Sequence, residues 1–278
     1  MNGRVSLAYS PCPNDTYVFA AWTNGLLDGV PAVEVRLGDV EELNREAAAG
    51  RHALTKVSYG AIPSLVADYR ILRAGGALGT GCGPLVVARP GTPPIEQAGA
   101  SARFAIPGTM TTAYLLLRMA LGHEPCTSVM RFDRIVDAVA GGLADYGVII
   151  HESRFTYAAA GLVAVEDLGA WWEAETGLPI PLGAILVRRN VGDAAARSFD
   201  AAIRGSLAFA RDHDSQVMPY VRAHAVEMDD AVMRAHIALY VNDFTADVGD
   251  AGIAAVDELF RRAAAASLVP AGTRGDFV

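Results

Sequence analysis

SPCPNDTYVF, residues 10–19, carries a strand into the start of a helix, and that junction sets the reading of the whole chain. Upstream, residues 5–9 are a short apolar run of β-favouring residues; downstream, residues 17–22 form an apolar helical stretch that stops at Gly25. Between them stand Ser10, Asn14, Asp15 and Thr16, residue types that cap helix N-termini. Pro11 and Pro13 stiffen the loop and keep it out of both elements. Such a junction presents free backbone N–H groups and the positive end of a helix dipole, where a carboxylate or phosphate binds. Ser10 is therefore a candidate ligand contact.

The alternation continues along the first half. Residues 33–37 read as a strand, Asp39 with Glu42 as a capping-box-like start of a helix ending at Gly50, and 53–58 as a second strand. A short helix over 62–67 and strands over 71–73 and 85–88 follow. This rhythm implies mainly parallel sheets with helices on both faces. The Gly-rich AGGALGTGCGP (74–84) interrupts it; a proline and a strand follow where a dinucleotide-binding helix would begin, so it reads as a crossing near a domain boundary.

A second series comprises strand 103–106, helix 111–121, strand 128–132, helix 134–143 and strand 146–150. GLPIPLGAILVRR (177–189) then reads as a strand returning to the first unit, and from Asp193 onward the chain is mostly helical. The expected architecture is α/β with two lobes, a larger discontinuous one from residues 1–88 and 187–278 and a smaller one, 89–186, inserted in it. Ligands of such folds sit beyond the carboxyl ends of strands and between domains.

At 278 residues the chain has ample material for a buried core, and 52% hydrophobic with 19% charged residues fits a globular protein. A net charge of −8 argues against nucleic acid and anionic membrane surfaces as partners, so an anionic small molecule has to be drawn in by a local site. Cys12, Cys82 and Cys126 are scattered without C-x-x-C spacing, which implies neither a disulfide framework nor a metal site. No apolar run approaches the roughly 18 residues of a membrane span, and no export signal precedes the first strand; the expected location is the cytoplasm.

Beyond the first loop, three more junctions carry candidate chemistry. Of 23 basic residues only Lys56 is a lysine; it sits in TKVSY (55–59), at the end of a β-like run. A compact point charge on a flexible stem suits a tight site that a planar guanidinium does not fit. PGTMTTAY (107–114) places Thr109, Thr111 and Thr112 at a helix start, a second receptor for an oxyanion. In IIHESRFTY (149–157), His151 follows a buried-type strand and stands at its carboxyl end, where an imidazole titrating near neutrality serves as a general base. Cys12, between two prolines, reads as a small packed residue rather than a nucleophile. Trp171, Trp172 and Tyr157 fit either an aromatic-binding wall or the core. His52, His123, His213, His224 and His236 read as ordinary helix or turn residues, and His224 with Glu227 makes no metal-binding pattern.

SPCPNDTYVF, TKVSYGA, AGGALGTGCGPLVVAR, PGTMTTAY, IIHESRFTY, LGAWWE and GLPIPLGAI, taken in order, resemble the 1,4-dihydroxy-6-naphthoate synthase family of menaquinone biosynthesis. The resemblance implies the two-lobed fold of type II periplasmic binding proteins, with a ligand cleft between the lobes. It implies a cofactor-independent lyase that converts cyclic dehypoxanthine futalosine, a carboxylated, sugar-derived small molecule, to 1,4-dihydroxy-6-naphthoate with release of dihydroxyacetone. By position in the motifs, His151 would be the proton acceptor. Lys56, Val57 and Ser58, and Thr112 with Ala113, would contact substrate. The sister family, the chorismate dehydratases, shares the fold without this pairing of SPCPNDT and HESRFTY.

Overall fold

The computed structural model describes residues 4–225 and 229–278; Glu227 lies outside them. Its strands are β1 (Val5–Tyr9), β2 (Val33–Leu37), β3 (Leu54–Ser58), β4 (Tyr69–Ile71), β5 (Ala77–Gly79), β6 (Leu85–Ala88), β7 (Arg103–Ile106), β8 (Cys126–Val129), β9 (Tyr146–Ile149), β10 (Val163–Asp167) and β11 (Ile180–Arg188). They form two sheets. The first runs β2-β1-β3-β11-β4, with β5 also on β11; the second runs β10-β6-β9-β7-β8.

Both sheets are mixed rather than mainly parallel. β1 pairs in parallel with β2 and β3, whereas β11 runs antiparallel to β3, β4 and β5. In the second sheet β7 is parallel to β8 and β9, while β6 and β10 bring antiparallel pairs. The antiparallel members are the strands at or beside the crossings. A strand that arrives from the other sheet is not the end of a helical crossover, so nothing holds it parallel to its neighbours.

Pairing also decides which sheet each crossing strand joins. Leu85–Ala88, expected in the first lobe, forms β6 and pairs with β9 and β10. Residues 180–186, within the run read as a strand returning to the first unit although the bound at 186 put them in the inserted lobe, belong to β11 and pair with β3 and β5. Both runs are apolar and β-favouring; their affiliation is a long-range choice with no local signature. β5 within the Gly-rich segment and β10 are further strands without a local signal.

Helices cover the sheets as their apolar spacing dictates. The 20-residue Asp193–Asp212 helix buries Ala196, Phe199, Ile203, Leu207 and Ala210, one face at three- and four-residue spacing, against the Pro13–Thr23 helix. The Asp214–His224 and Asp230–Tyr240 helices also pack on Pro13–Thr23, and the Gly249–Ala265 helix packs on β11. One core cluster takes residues from both sheets, among them Val57, Leu186, Val86, Phe104 and Tyr146, so the two units meet through apolar packing at the crossings. Gly60 tightens the same junction: a Cβ there would stand 2.7 Å from the Thr111 carbonyl oxygen.

Candidate active site

β1 hands over to the Pro13–Thr23 helix at the loop 10–12, and the anion receptor expected there is filled by the chain itself. The Asp15 carboxylate, in the helix's first turn, accepts from Ser10 Oγ (2.8 Å), more weakly from Ser10 N (3.4 Å), from Asn14 Nδ2 (3.0 Å) and from Lys56 Nζ (2.8 Å). Ser10 Oγ in turn accepts from Cys12 N. The Ser10 hydroxyl is thus engaged internally, and the helix dipole stabilises Asp15 rather than an incoming anion. Lys56 also donates to the Gly75 carbonyl at 2.9 Å. An ammonium has three donors, so one remains for the cleft.

Alternation along β3 puts Lys56 and Ser58 on one side of the strand. Asn44 brackets Ser58, accepting from its backbone N–H (2.9 Å) and donating Nδ2 to its hydroxyl (3.2 Å). The Ser58 hydroxyl hydrogen stays free to point at a ligand. Across the cleft, Thr112 donates its hydroxyl to Leu182 O (2.7 Å) and accepts from Gly60 N (3.0 Å), stitching three segments together. Its hydroxyl is therefore a structural link, not the oxyanion donor the residue type suggests. The donors at this helix start are backbone: Thr111 caps Tyr114 N, and among the described residues the N–H groups of Thr112 and Ala113 have no backbone acceptor.

His151 follows β9 by two residues and has φ of +56°, one of two non-glycine residues with positive φ among the described residues. That conformation is rare for a side chain with a Cβ and persists where the surroundings impose it. It turns the imidazole into the cleft, with the Phe132 ring edge-on at 5.0 Å. Burial pushes its pKa down to about 4; Asp15 pulls the other way and Lys56 adds to the depression. The ring is neutral at pH 7, the state a proton acceptor needs. Beside it, Cys12 Sγ lies 3.8 Å from Glu152 Oε2, and ligand atoms of Cys12, His151 and Glu152 all fall within 4.8 Å of one another. Burial and the Glu152 charge raise the Cys12 pKa well above its usual value. Cys12 is therefore a thiol at neutral pH and, as it stands, a poor nucleophile.

Ser10, Lys56, Val57, Ser58, Thr112, Ala113 and His151 all line one pocket between the sheets, about 690 Å³ counted to its opening on solvent. Trp171, Trp172 and Tyr157 do not line it. Trp172 is fully buried in the core and donates Nε1 to Pro179 O. The pocket adds Asn14 and Tyr240, which residue-by-residue reading passed over. The Asn14 amide nitrogen is turned to Asp15, which leaves its buried Oδ1 without a partner among the described residues: an acceptor for a ligand hydroxyl. Asn14 carried a signal, since it lies in the quoted loop. Tyr240 carried none, because it arrives from a helix 89 positions after His151.

Two lobes around a cleft that sets a few polar side chains in an apolar lining define the class of periplasmic-binding-protein-like folds. A solved structure of the alkanesulfonate-binding protein of Xanthomonas axonopodis pv. citri, bound to MOPS, superposes with a TM-score of 0.70 at 13% identity, covering 99% of this chain and 98% of that one. At that identity the likeness is one of fold. The chain belongs to the menaquinone biosynthesis family, whose model matches residues 5–265. It is 50% identical over 273 residues to a 1,4-dihydroxy-6-naphthoate synthase of Thermus thermophilus, with 98% of each chain covered. It is 46% identical over 275 residues to the enzyme of the same name from Streptomyces coelicolor, covering 96% of this chain and 95% of that one.

Proposed function

We propose that this chain is a 1,4-dihydroxy-6-naphthoate synthase, a carbon–carbon lyase acting on cyclic dehypoxanthine futalosine in the cytoplasm. The observation that carries the reading is a neutral imidazole, His151, held by an uncommon backbone conformation inside a mostly apolar cleft that also holds a few polar anchors. A solute-binding protein has no need of such a base. The family membership and the name shared by relatives at 46% and 50% identity point the same way.

In this reading His151 removes a proton from the sugar-derived part of the substrate. Electrons from that bond drive a retro-aldol cleavage of a C–C bond, dihydroxyacetone leaves, and formation of the aromatic naphthalene ring supplies the driving force. The free N–H groups of Thr112 and Ala113 receive the developing oxyanion, where one well-placed donor is worth about 3 kcal/mol of barrier. The Ser58 hydroxyl and the third Lys56 proton hold the polar end of the substrate, and Asn14 Oδ1 accepts from a hydroxyl. Developing negative charge on the substrate raises the proton affinity of His151 as the transfer proceeds. We further propose lobe boundaries at the strand crossings, before β6 and before β11.

The test is to mix purified protein with cyclic dehypoxanthine futalosine and follow naphthoate absorbance, with dihydroxyacetone assayed in parallel. Stoichiometric appearance of both products is expected. Binding without turnover, or turnover of a dehydratase substrate instead, would overturn the assignment.

A further inference from the structure

His236, an ordinary helix residue by sequence, is fully buried on the Asp230–Tyr240 helix and does not itself line the pocket. Its ring centroid is 6.3 Å from that of His151 with the planes at 39°, 4.6 Å from Tyr240 and 6.3 Å from Phe155. Both ring nitrogens lack a hydrogen-bond partner among the described residues. A neutral imidazole carries one donor and one acceptor, and leaving both unmade in an apolar interior is unfavourable, whereas a phenylalanine would fill the same space without that penalty. Buried polar atoms left without partners call for an explanation.

His151 is the group that supplies one. Of the three rings around His236, Phe155 has no polar atom and Tyr240 lies on the same helix, one turn on and facing the pocket. We propose that His236 is the positioning residue of His151: through one bridging water its ring nitrogen receives the N–H that His151 directs away from the substrate, and so holds the tautomer and supports the imidazolium formed on proton uptake. The inference rests on reading His151 as the base. The proton balance is simple. Neutral His151 presents its lone pair to the substrate and its N–H to His236. After uptake it carries two N–H groups, and it returns the same proton to product while His236 stays neutral throughout. Burial and the neighbouring His151 keep His236 well below its usual pKa, consistent with an acceptor that does not itself ionise.

The titratable and charged groups around the pair are few. Asp15 and Lys56 act on His151 from the first loop and β3, and Cys12 and Glu152 stand within 4.8 Å of it. His236 is faced by His151 and Tyr240.

The experiment compares His236→Phe, which fills the space without an acceptor, with His236→Gln and His236→Asn, which restore one. Two readouts are taken: kcat and KM with cyclic dehypoxanthine futalosine, and the titration of His151 followed by nitrogen-15 NMR of the resting protein. His236→Phe should lower kcat by about 10- to 100-fold, the worth of one hydrogen bond to a charged group, with KM changed less than about threefold. It should also move the His151 titration to lower pH, and at least one amide variant should recover part of both. A folded His236→Phe protein with native kcat and an unmoved His151 titration would overturn the inference. If the Phe variant does not fold, the amide variants decide: a His151 titration shifted in both as far as in an unpaired imidazole would refute the pairing, and a titration near native in either would support it. The NMR arm needs no substrate, so it still judges the pairing if the assigned reaction fails.

Discussion

Lys56 Nζ and Asp15 Oδ1 stand 2.8 Å apart at the floor of the cleft, with both side chains almost wholly buried. Asp15 is also held by Ser10 and Asn14, and Lys56 by the Gly75 carbonyl, so the pair is part of a closed network. Removing one partner of such a pair leaves the other charge buried and uncompensated, which costs about 3–5 kcal/mol. Lys56→Met should therefore lower stability to urea by that order, and Lys56→Met with Asp15→Leu should lower it less than the single change. Lys56→Arg keeps the charge but brings a planar head beside Gly183, and should raise KM about tenfold or more. Equal stability of the single and double variants would contradict the coupling.

Thr112 links Gly60 N to Leu182 O through one hydroxyl. Thr112→Val is nearly isosteric but strands a partly buried donor and a partly buried acceptor. It should cost about 1–3 kcal/mol in denaturant unfolding. Thr112→Ser should cost less than half of that and keep turnover close to native. A valine variant of native stability would show that the link is idle.

Asn14 presents an unpartnered Oδ1 to the pocket because its amide nitrogen is held by Asp15. Asn14→Ala should raise KM by roughly tenfold, the scale of one hydrogen bond, and change kcat little. Steady-state kinetics read this directly; a fall confined to kcat would instead place Asn14 among the groups that act on the transition state.

His151→Asn should leave substrate affinity largely intact and reduce kcat by about 10²–10⁴-fold, the usual contribution of a general base. Loss of the imidazole should also relieve the backbone, since asparagine tolerates positive φ better than most residues. A folded variant with native turnover would remove His151 from the mechanism.

Burial holds the pKa of His151 down to about 4 and that of His236 well below its ordinary 6.5. Between those values the unfolded chain binds protons that the folded one refuses. Stability should thus be constant in this respect above about pH 6.5 and fall as pH drops toward 4, by at most about 1.4 kcal/mol per pH unit for each histidine. Urea midpoints over this range should decline less steeply in His151→Asn than in the native protein. The acidic limb of kcat/KM should lie well below neutrality, near the pKa of the free base, rather than near 6.5 as the residue type alone suggests.

Sequence by itself was enough to place the candidate residues in one cleft. SPCPNDTYVF, TKVSY, PGTMTTAY and IIHESRFTY each sit where a strand ends, and local physics ties strand ends to caps, turns and ligand sites, so Ser10, Lys56, Ser58, Thr112 and His151 converge. What each residue can do there depended on contacts far along the chain. Asp15 fills the expected anion site because Lys56, 41 residues away, neutralises it. The Thr112 hydroxyl donates to Leu182, 70 residues away, rather than into the cleft. The sheet that receives Leu85–Ala88 and Ile180–Arg188, the depressed pKa of His151, and the approach of His236 from a late helix are all settled by packing. Periodicity and capping are encoded within a few neighbouring residues. Strand partners, burial and the bonds that use up a donor arise only when distant segments are brought together.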